Sequence, residues 1–589
     1  YRVTVNGAIT GSLVNQAQIT GPALNPVTLS HALLVPRPIL STTLTDFFFP
    51  GTQPNQLVNS IPNPAECDVC HTAPIYDSWR GSMMSQSGRD PLMWAALAVA
   101  NQDAGSAGDY CLRCHTPKGW FEGCSPPANG FAVQAEDIHA GVACEICHRM
   151  VDPVASTSDQ AVSIDAGIRS SLTPTFTLPS GHVGSAMLIV DPLDRRRGPF
   201  TLTAPHTALR TDFLGQAANA VTESRLCGSC HNLDNPALSW DGSRYWPNGT
   251  NLAAPSFNKG DLFPIERTYD EWLNSQYASG GVYAPLFAGA KPNGIVGSCQ
   301  DCHLRRTVGK AAEDAYNPVN RDCVSTGCLP EHDLAGGNTW APLILQDTRW
   351  RLNSAGEAAY LNNTIIRARE MLKNAATLSV TLTTSNTTKI ALVRVTNQTG
   401  HKLPTGYPEG RRIWLNLKAY DANDNLVYES GAYNPATGVL TQDPAIKIYE
   451  AKHGLSQQLA NLLNLPVGES FHFVLNNIIL KDNRIPPRGF TQSALNQRGM
   501  APVGATYVAG QYWDDTVYLL PPQTERVTAS LYYQTASKEY IDFLRATGGL
   551  DGATLGTLWD TSKSPPELMT VAWDPSLPAY LPLIYKLSN

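Results

Sequence analysis

The chain has 589 residues, of which 42% are apolar and only 16% charged, and it contains 46 Gly and 43 Pro. This composition is typical of a globular, loop-rich protein with room for two or three domains, and it excludes a disordered or fibrous chain. The formal net charge of -7 argues against nucleic acid as a partner, because phosphate binding needs a basic face. No apolar run approaches the roughly 18 residues of a membrane span, so we predict no membrane-spanning segment.

The first segment, residues 1–60, is rich in Asn, Thr and Pro and shows no sustained periodicity. This pattern predicts an extended N-terminal arm or irregular strands laid on the surface. The sequence starts at Tyr1 rather than Met, which we interpret as a processed chain whose export signal has been removed.

The second segment, residues 61–345, contains five copies of the pattern Cys-x-x-Cys-His, which we number motif 1 to motif 5 in chain order. With 13 Cys and 13 His in 589 residues, chance predicts about 0.006 copies. The paired cysteines are, in chain order, Cys67 and Cys70, Cys111 and Cys114, Cys144 and Cys147, Cys227 and Cys230, and Cys299 and Cys302. The histidines that follow them are His71, His115, His148, His231 and His303.

This spacing has a chemical reason in haem attachment. Two thiols one turn apart can add across the two vinyl groups of a haem, and the adjacent imidazole can then bind the iron. A zinc site would need the pairs to combine into tetrahedral sets and would not explain a His after every second Cys. A thioredoxin-like redox site needs one such pair beside a βαβ unit, not five. We therefore predict five covalently bound haems c and, since this attachment follows export, a periplasmic or extracellular location.

Three cysteines lie outside the motifs. A wider-spaced haem motif starting at Cys323 would need His directly after Cys328, but Leu stands there, so we predict a disulfide between the two. Cys124 is then left single, and a small buried thiol is the simplest interpretation of it.

The second axial position of each haem decides between two kinds of chemistry. Bis-His coordination suits electron transfer, whereas an open position indicates substrate chemistry. Eight histidines outside the motifs could supply distal ligands, and those we favour are His206, His332, His401, His182 and His139. His31, in the N-terminal arm, is a further candidate, and His453 and His472 are expected at the surface.

The local sequence motivates these choices. His332 lies just past the predicted disulfide, where a pinned loop could hold an imidazole on iron. His401 lies in a tight loop between two predicted strands that could reach back to the haems. His206 precedes motif 4 by about 20 residues, in a segment with no other evident task.

A short repeat recurs within the second segment. Residues 76–82 and 269–275 both read Tyr-Asp-x-Trp-x-x-Ser, which predicts a recurring haem-packing unit. Met83 and Met84 directly follow the first copy, and either could be an axial ligand that raises the reduction potential of one haem. The interpretation we favour is that they pack against a porphyrin face.

Regular patterning is otherwise sparse between residues 61 and 345. The clearest helix begins at Asp90 and Pro91, an N-cap followed by Pro at the first helical position, and runs to Ala100. We predict an irregular, mainly α-helical and loop pentahaem cytochrome c domain in which haems supply most of the core.

The remaining sequence changes character. Residues 346–376 predict a linker helix that starts with a capping box at Ser354 and Glu357 and has an apolar face of Leu361, Ile365, Ala368 and Leu372. Residues 377–589 show period-2 alternation at 378–383, 391–395, 413–417 and 527–533, which predicts an antiparallel β-sandwich domain. A hairpin turn is predicted at residues 421–425 and a short helix at 538–545.

At this point the chain resembles a family of secreted bacterial multihaem c-type cytochromes. The segments that carry the resemblance are 79–84, 111–120, 141–153, 226–232, 399–412 and 533–540, within a matching region of about 65–570. The resemblance implies electron transfer at or beyond the cell surface and supplies no substrate. Cys124 stands where the family often has Arg, which leaves the role of this residue open.

Three functions follow from the sequence. The first is a secreted electron carrier that passes electrons along closely spaced bis-His haems to redox partner proteins. The second is a multihaem oxidoreductase with one open-coordination haem, acting on a small nitrogen or sulfur oxyanion. The third is assembly with copies of itself into a cytochrome filament, in which His31 or His401 reaches a haem of the next subunit.

Overall fold

The computed structural model describes residues 11–21, 24–35, 38–154, 160–172, 183–202, 208–217, 219–249, 256–347, 356–497 and 499–574. The predictions made for His182, His206 and Ser354 therefore fall outside the described residues. No helix in these ranges is long and apolar enough to cross a membrane.

The N-terminal arm contains an antiparallel hairpin of two strands, β1 (Gly11–Gly21) and β2 (Leu24–Val35). The register places His31 opposite Asn15. The irregular strands expected for this segment are thus one paired hairpin, since each strand has the length to satisfy the backbone groups of the other.

The region that carries the five motifs is built from short helices and very short strands. Its helices are α1 (Ala65–Asp68), α2 (Asp77–Gly81), α3 (Pro91–Asp103), α4 (Gly108–His115), α5 (Pro117–Phe121), α6 (Ala135–Ala140), α7 (Cys144–His148), α8 (Val162–Ser171), α9 (Ala220–Gly228), α10 (Thr268–Leu273), α11 (Gln276–Gly280), α12 (Pro285–Ala288), α13 (Cys299–His303) and α14 (Trp340–Ile344). Its strands are β3 (Arg197–Gly198), β4 (Leu209–Arg210), β5 (Leu233–Trp240), β6 (Tyr245–Pro247), β7 (Leu262–Glu266), β8 (Val282–Tyr283), β9 (Ile295–Val296), β10 (Arg306–Thr307) and β11 (Leu329–Pro330). The prediction of an irregular, mainly helical and loop segment is confirmed.

Helix α3 begins as predicted. The Asp90 carboxylate accepts a hydrogen bond from the Leu92 N–H at 2.9 Å, and Pro91 occupies the first helical position. This cap satisfies one of the amide groups that a helix start leaves unpaired. The helix is buried along Trp94, Leu97 and Val99.

The C-terminal region begins with the predicted linker helix and continues with long strands. Its helices are α15 (Ala358–Ala375), α16 (Gln457–Leu463), α17 (Gln492–Leu495), α18 (Lys538–Thr547) and α19 (Gly549–Ser562). Its strands are β12 (Ala376–Ser385), β13 (Thr388–Asn397), β14 (Arg412–Tyr420), β15 (Leu426–Ser430), β16 (Tyr433–Asn434), β17 (Val439–Leu440), β18 (Ile448–Tyr449), β19 (Ala451–Leu455), β20 (Gly468–Glu469), β21 (Ile478–Asp482), β22 (Trp513–Leu520), β23 (Arg526–Gln534) and β24 (Glu567–Trp573).

Two antiparallel sheets share one apolar core in this region. The first sheet has the order β12-β13-β22, and the second has the order β15-β14-β23-β24 with β18 also on β14. Val393 and Val395 of the first sheet and Leu415, Leu417 and Leu531 of the second belong to the same buried cluster. The alternation read from the sequence is thus confirmed as inward-facing strand positions, because successive side chains of a strand point to opposite faces.

The two regions are not separate in their packing. Tyr540 of α18 and Trp559 of α19 belong to the same buried cluster as Trp94 of α3. Helix α18 was expected at this place, whereas α19, which has little amphipathic pattern, was not predicted. The linker helix buries its predicted apolar face, Leu361, Ile365, Ala368 and Leu372, and starts at Ala358 after Glu357.

Two histidines expected at the surface lie instead at the junction between the regions, so that expectation is wrong. His453 is buried beside the Phe263 ring, with ring centres 5.3 Å apart. The His472 Nδ1 lies 2.7 Å from the Asp103 carboxylate at the end of α3. Strand alternation alone missed both because it takes no account of the neighbouring domain.

Candidate haem-binding site

Each motif forms one helical turn. Motif 3 is helix α7 and motif 5 is helix α13, while motif 2 ends helix α4. In motifs 1 and 4 the backbone N–H of His71 and His231 donates to the carbonyl of the first cysteine, in both cases at 2.9 Å. The two thiols of each motif therefore lie on one side of a turn, as the spacing predicts.

All five motifs line one cavity with a volume of about 1610 Å³. Protein interiors are close-packed, so a void of this size inside the fold is a binding site rather than a packing fault. Its walls include aromatic rings from the two repeat copies, Trp79 and Trp272, and the methionines Met83 and Met84. The Met side chains thus face the cavity, as both interpretations of them require.

Contacts between cysteines show which motifs are neighbours. The Cys67 thiol contacts that of Cys144, which lowers the pKa of Cys67. The Cys227 and Cys299 thiols make the same contact, which raises the pKa of Cys227. Motif 1 therefore adjoins motif 3, and motif 4 adjoins motif 5.

Motif 4 also adjoins two further motifs. Its Cys230 thiol contacts Cys114 of motif 2, and this contact raises the pKa of Cys230. Burial together with the nearby Cys230 raises the pKa of Cys147, in motif 3, to about 12. The order along the cavity is thus motif 1, motif 3, motif 4, with motifs 2 and 5 both beside motif 4.

Two imidazoles from outside the motifs face motif histidines across the cavity. The rings of His148 and His332 have centres 6.2 Å apart and planes inclined by 18°. Those of His303 and His401 have centres 6.4 Å apart and planes inclined by 20°. Two imidazoles bound to opposite sides of one metal ion, each through a bond of about 2.0 Å, have ring centres about 6 Å apart. Both gaps therefore fit one metal ion between the rings.

The outer imidazoles are held for binding through Nε2. His332 Nδ1 lies 3.0 Å from the Pro330 carbonyl and His401 Nδ1 lies 3.0 Å from the Lys402 carbonyl. Burial lowers the pKa of both rings to about 4, so they are neutral at ordinary pH. A neutral ring whose Nδ1 carries the proton offers its Nε2 lone pair to a metal.

Three motif histidines are oriented in the same way by backbone carbonyls. The Nδ1 atoms of His71, His148 and His303 lie 2.7, 2.7 and 2.6 Å from the carbonyls of Ala311, Arg197 and Ala335. His231 differs, because its Nδ1 lies 3.5 Å from a carboxylate oxygen of Glu266. Burial alone would lower the pKa of His231, but the contact with Glu266 raises it to about 9.

The sequence repeat is also a structural repeat. The ring centres of Tyr76 and Trp79 are 5.5 Å apart, and those of Tyr269 and Trp272 are also 5.5 Å apart. The indole N–H of Trp79 donates to the carbonyl two residues before motif 3, at 3.1 Å, and that of Trp272 donates to the carbonyl two residues before motif 5, at 2.8 Å. We name motif 1, residues 76–82 and motif 3 the first unit, and motif 4, residues 269–275 and motif 5 the second unit.

The loops that present the two outer imidazoles are built differently. His332 follows the short pair β10–β11, beside the disulfide between Cys323 and Cys328, which the structure contains as predicted. His401 lies in the C-terminal region, between β13 and β14. The sequence analysis named both histidines as ligands. It did not show which motif each one faces, because the separation along the chain between a motif and its distal ligand does not indicate the pairing.

Other predicted residues stand apart from the cavity or outside the description. His139 lies on α6 and is not among the residues that line the cavity. Cys124 is a free, half-buried thiol. Among the described residues, no group of three or more His, Cys, Asp or Glu side chains is arranged to hold a metal ion, so the clusters that a zinc protein requires are not seen there.

The arginines near the cavity are mostly paired with acidic side chains. Arg197 is fully buried and bonds Asp191 at 2.8 Å. Arg411 lines the cavity and donates to the Thr405 carbonyl at 2.6 Å, while its buried Nε has no hydrogen-bond partner. A buried donor of this kind fits an acidic group of the ligand, such as a haem propionate.

The donor set fits haem c. Paired thiols, adjacent imidazoles, two facing imidazoles at metal-spanning distance and an unpartnered arginine nitrogen all open on the same apolar-walled void. These residues would hold the group through thioether bonds at the cysteines and iron bonds at the histidines.

Comparison with known proteins gives a match over part of the chain. Residues 66–149, which hold motifs 1 to 3, match the family described as cytochrome c554 and c-prime. The chain is similar to a penta-heme cytochrome c552 from Thermochromatium tepidum, with 16% sequence identity, coverage of 87% of this chain and 98% of that chain, and a TM-score of 0.45. No curated protein matches the sequence. The family match supports a multihaem c-type cytochrome, with haem binding and electron transfer as its class of function.

Proposed function

We propose that this chain is a pentahaem c-type cytochrome that binds haem c covalently at motifs 1 to 5 and transfers electrons among them. The observation that carries the proposal is the single cavity lined by all five motifs, whose neighbours touch through their cysteines. The bound haem supplies an iron that changes its oxidation state by one electron. The chain contributes the attachment thiols, the axial imidazoles and a shared apolar enclosure.

Two distal ligands follow from the facing imidazoles. We assign His332 to motif 3 and His401 to motif 5, because each ring lies opposite a motif imidazole at a distance that one iron can span. With both axial positions filled, a substrate cannot reach that iron, so these two sites suit electron transfer. His206 and His182 stay our candidates for two of the other motifs, whereas His139 stands apart from the cavity and is no longer proposed as a ligand.

The proposal extends to the location and to the C-terminal region. The disulfide between Cys323 and Cys328 is typical of an oxidising compartment, which fits a secreted or periplasmic protein. We interpret the two sheets with a shared core as a β-sandwich. Its loop supplies His401, so this domain completes a haem site as well as bracing the haem region.

The test uses the full chain produced with haem attachment. Mass spectrometry of the intact protein is expected to show five haem additions, and ferric spectra are expected to show low-spin haem at motifs 3 and 5. Stepwise reduction should resolve five one-electron transitions. Fewer than five additions would contradict the proposed haem content.

The same material separates electron transfer from the oxidoreductase alternative. A high-spin haem that binds nitrite or sulfite and turns it over would favour the enzyme, whereas low-spin spectra at every haem would exclude it. Negative-stain microscopy of the secreted protein tests the filament, which isolated particles alone would contradict. His401 faces His303 of its own chain, so we assign it a role within one chain. In a filament, His31 on β2 is then the residue proposed to reach a haem of the next subunit.

A further inference from the structure

Among the motif histidines, His231 has an unusual partner at Nδ1. His71, His148 and His303 each face a neutral backbone carbonyl at 2.6–2.7 Å. His231 instead faces the Glu266 carboxylate at 3.5 Å. The contact is longer than the carbonyl contacts, but it places a carboxylate against a motif imidazole.

The fold builds this contact from two strands. Strand β5 starts directly after motif 4 and pairs with β7, which places Glu266 opposite Leu233. The Tyr269 N–H donates to the His231 carbonyl at 3.0 Å, which fixes the same segment a second time. Glu266 lies on the cavity wall, and only about 9% of its surface is exposed.

Two further groups hold and balance the carboxylate. The Thr268 hydroxyl donates to the Glu266 oxygen that faces His231, at 3.1 Å. Arg411, also on the cavity wall, is close enough to interact with Glu266 by charge. The carboxylate is therefore held in place on the cavity wall beside the imidazole.

The two units provide an internal comparison. When the repeat copies are aligned on Tyr76 and Tyr269, the position of Glu266 corresponds to Ala73 in the first unit. His71, in that unit, bonds to the Ala311 carbonyl instead. The carboxylate is thus a property of the second unit and not part of the repeated haem seat.

A carboxylate at Nδ1 makes an imidazole a stronger electron donor to the metal at Nε2. Stronger donation and nearby negative charge both stabilise the ferric state over the ferrous state, which lowers the reduction potential. The effect is strongest where the surroundings are dry, since charges are screened least in a buried site.

We propose that Glu266 is a positioning residue that acts through His231 to give the haem at motif 4 the lowest potential of the five. The inference rests on the proposed function. Motif 4 adjoins motifs 2, 3 and 5, so its haem would lie at the branch point in the order of motifs. The lowest potential makes it the last of the five haems to be reduced. Electrons then collect on the outer haems first and cross the branch point only under a stronger reductant.

The experiment compares two single substitutions in the full holoprotein. Glu266→Gln removes the charge at Nδ1 and keeps the size of the side chain. Asp137→Asn is the matched control, because Asp137 is a buried carboxylate of the same region that pairs with Lys118 at 2.7 Å and is not among the residues that line the cavity. Spectroelectrochemical titration of both variants and of the wild type gives five midpoints for each protein.

The expected result is that the lowest midpoint moves upward in Glu266→Gln and stays in place in Asp137→Asn. Five unchanged midpoints in Glu266→Gln would overturn the inference, and so would an equal rise of the lowest midpoint in the control. A wild-type protein without five haems would instead overturn the proposed function, which mass spectrometry detects first.

A second measurement needs no variant. In the fully reduced wild type, the proton NMR spectrum is expected to show one motif Nδ1–H signal set apart from those of His71, His148 and His303, because that proton faces a carboxylate at 3.5 Å and theirs face carbonyls at 2.6–2.7 Å. Motif Nδ1–H signals at one common position would overturn the inference even if Glu266→Gln failed to accumulate.

Discussion

The two repeat units hold their second motif in the same way and obtain its distal imidazole by different routes. In each, a Trp indole bonds the carbonyl two residues before the motif, and the first cysteines of the two motifs touch. The first unit faces His332, from a loop of the same region, whereas the second faces His401, from the C-terminal region. The haem seat is thus a repeated local structure, and the ligand opposite it depends on tertiary contacts.

The anchoring of the His401 loop shows why the second route needs the other domain. Glu271, within the second repeat copy, accepts hydrogen bonds from the Lys402 N–H at 3.1 Å and the Thr405 hydroxyl at 2.6 Å. Arg484 bonds the other Glu271 oxygen at 3.1 Å, and Asp482 joins Arg484 to Lys402. The corresponding position in the first copy is Ser78, whose hydroxyl donates to the Ile75 carbonyl at 3.1 Å.

The largest change is expected from removing either distal imidazole. His332→Ala and His401→Ala should each convert one haem from low spin to high spin, at motif 3 and motif 5 respectively, because each removes one axial ligand. Electron paramagnetic resonance of the ferric proteins measures the converted fraction.

Replacement by Met serves as the control for those variants. His332→Met and His401→Met should restore a low-spin haem and raise its potential. Conversion of two haems in one variant would show that the units are not independent, and no conversion would contradict the ligand assignment.

The next largest effect is expected at the anchor of the second route. Glu271→Gln should cost about 3–5 kcal/mol in the free energy of unfolding, because it breaks a buried charge network and leaves Arg484 and Lys402 short of one negative charge. It should also raise the high-spin fraction at motif 5 and not at motif 3. Ser78→Ala, at the matching position, should cost only about 0.5–1.5 kcal/mol. Denaturation followed by fluorescence and Soret absorbance compares the two.

A pH-dependent effect is expected from Glu409, which follows His401 in the same loop. Burial raises the pKa of its carboxyl to about 8 from 4.5. The folded state therefore holds this proton more tightly than the unfolded chain, so the free energy of unfolding falls as pH rises from about 4.5 to about 8. Melting temperatures should fall in the wild type between about pH 6.5 and 8, and fall less in Glu409→Gln.

The neighbour of Glu409 acts in the opposite direction below about pH 6.5. His453 Nδ1 lies 3.9 Å from Glu409, and burial lowers the pKa of His453 to about 4 from 6.5, so its own contribution to the free energy of unfolding rises with pH up to about 6.5. The difference between the wild type and Glu409→Gln isolates the contribution of Glu409. Glu525→Gln, at an exposed carboxylate, is the control and should leave the pH dependence unchanged. If the melting temperature changed with pH at the same rate in the wild type and in Glu409→Gln, the prediction that folding buries Glu409 in its protonated form would be contradicted.

The smallest effect, and the one most specific to the repeat, concerns the two indoles. Trp79→Phe and Trp272→Phe should each cost about 1–3 kcal/mol, because each leaves a backbone carbonyl before a motif without its donor. Equal costs in denaturation would support one repeated seat. A clearly larger cost in one unit would show that the shared sequence serves different purposes in the two.

Sequence alone determined the features whose chemistry is local. The five motifs, the disulfide, the cap of α3, the apolar face of α15 and the inward positions of the long strands all follow from spacing over one or two turns or from alternation. These signals are readable because the residues that interact are neighbours along the chain.

Tertiary structure decided what depends on residues far apart in the chain. It paired His332 with His148 and His401 with His303, placed Glu266 at His231, buried His453 and set His472 against Asp103. No local pattern distinguishes these pairings, because a histidine in a loop has the same sequence neighbourhood whichever motif it faces. The packing of the sheets against the motif region brings His401 to motif 5, whereas a loop of the motif region itself brings His332 to motif 3.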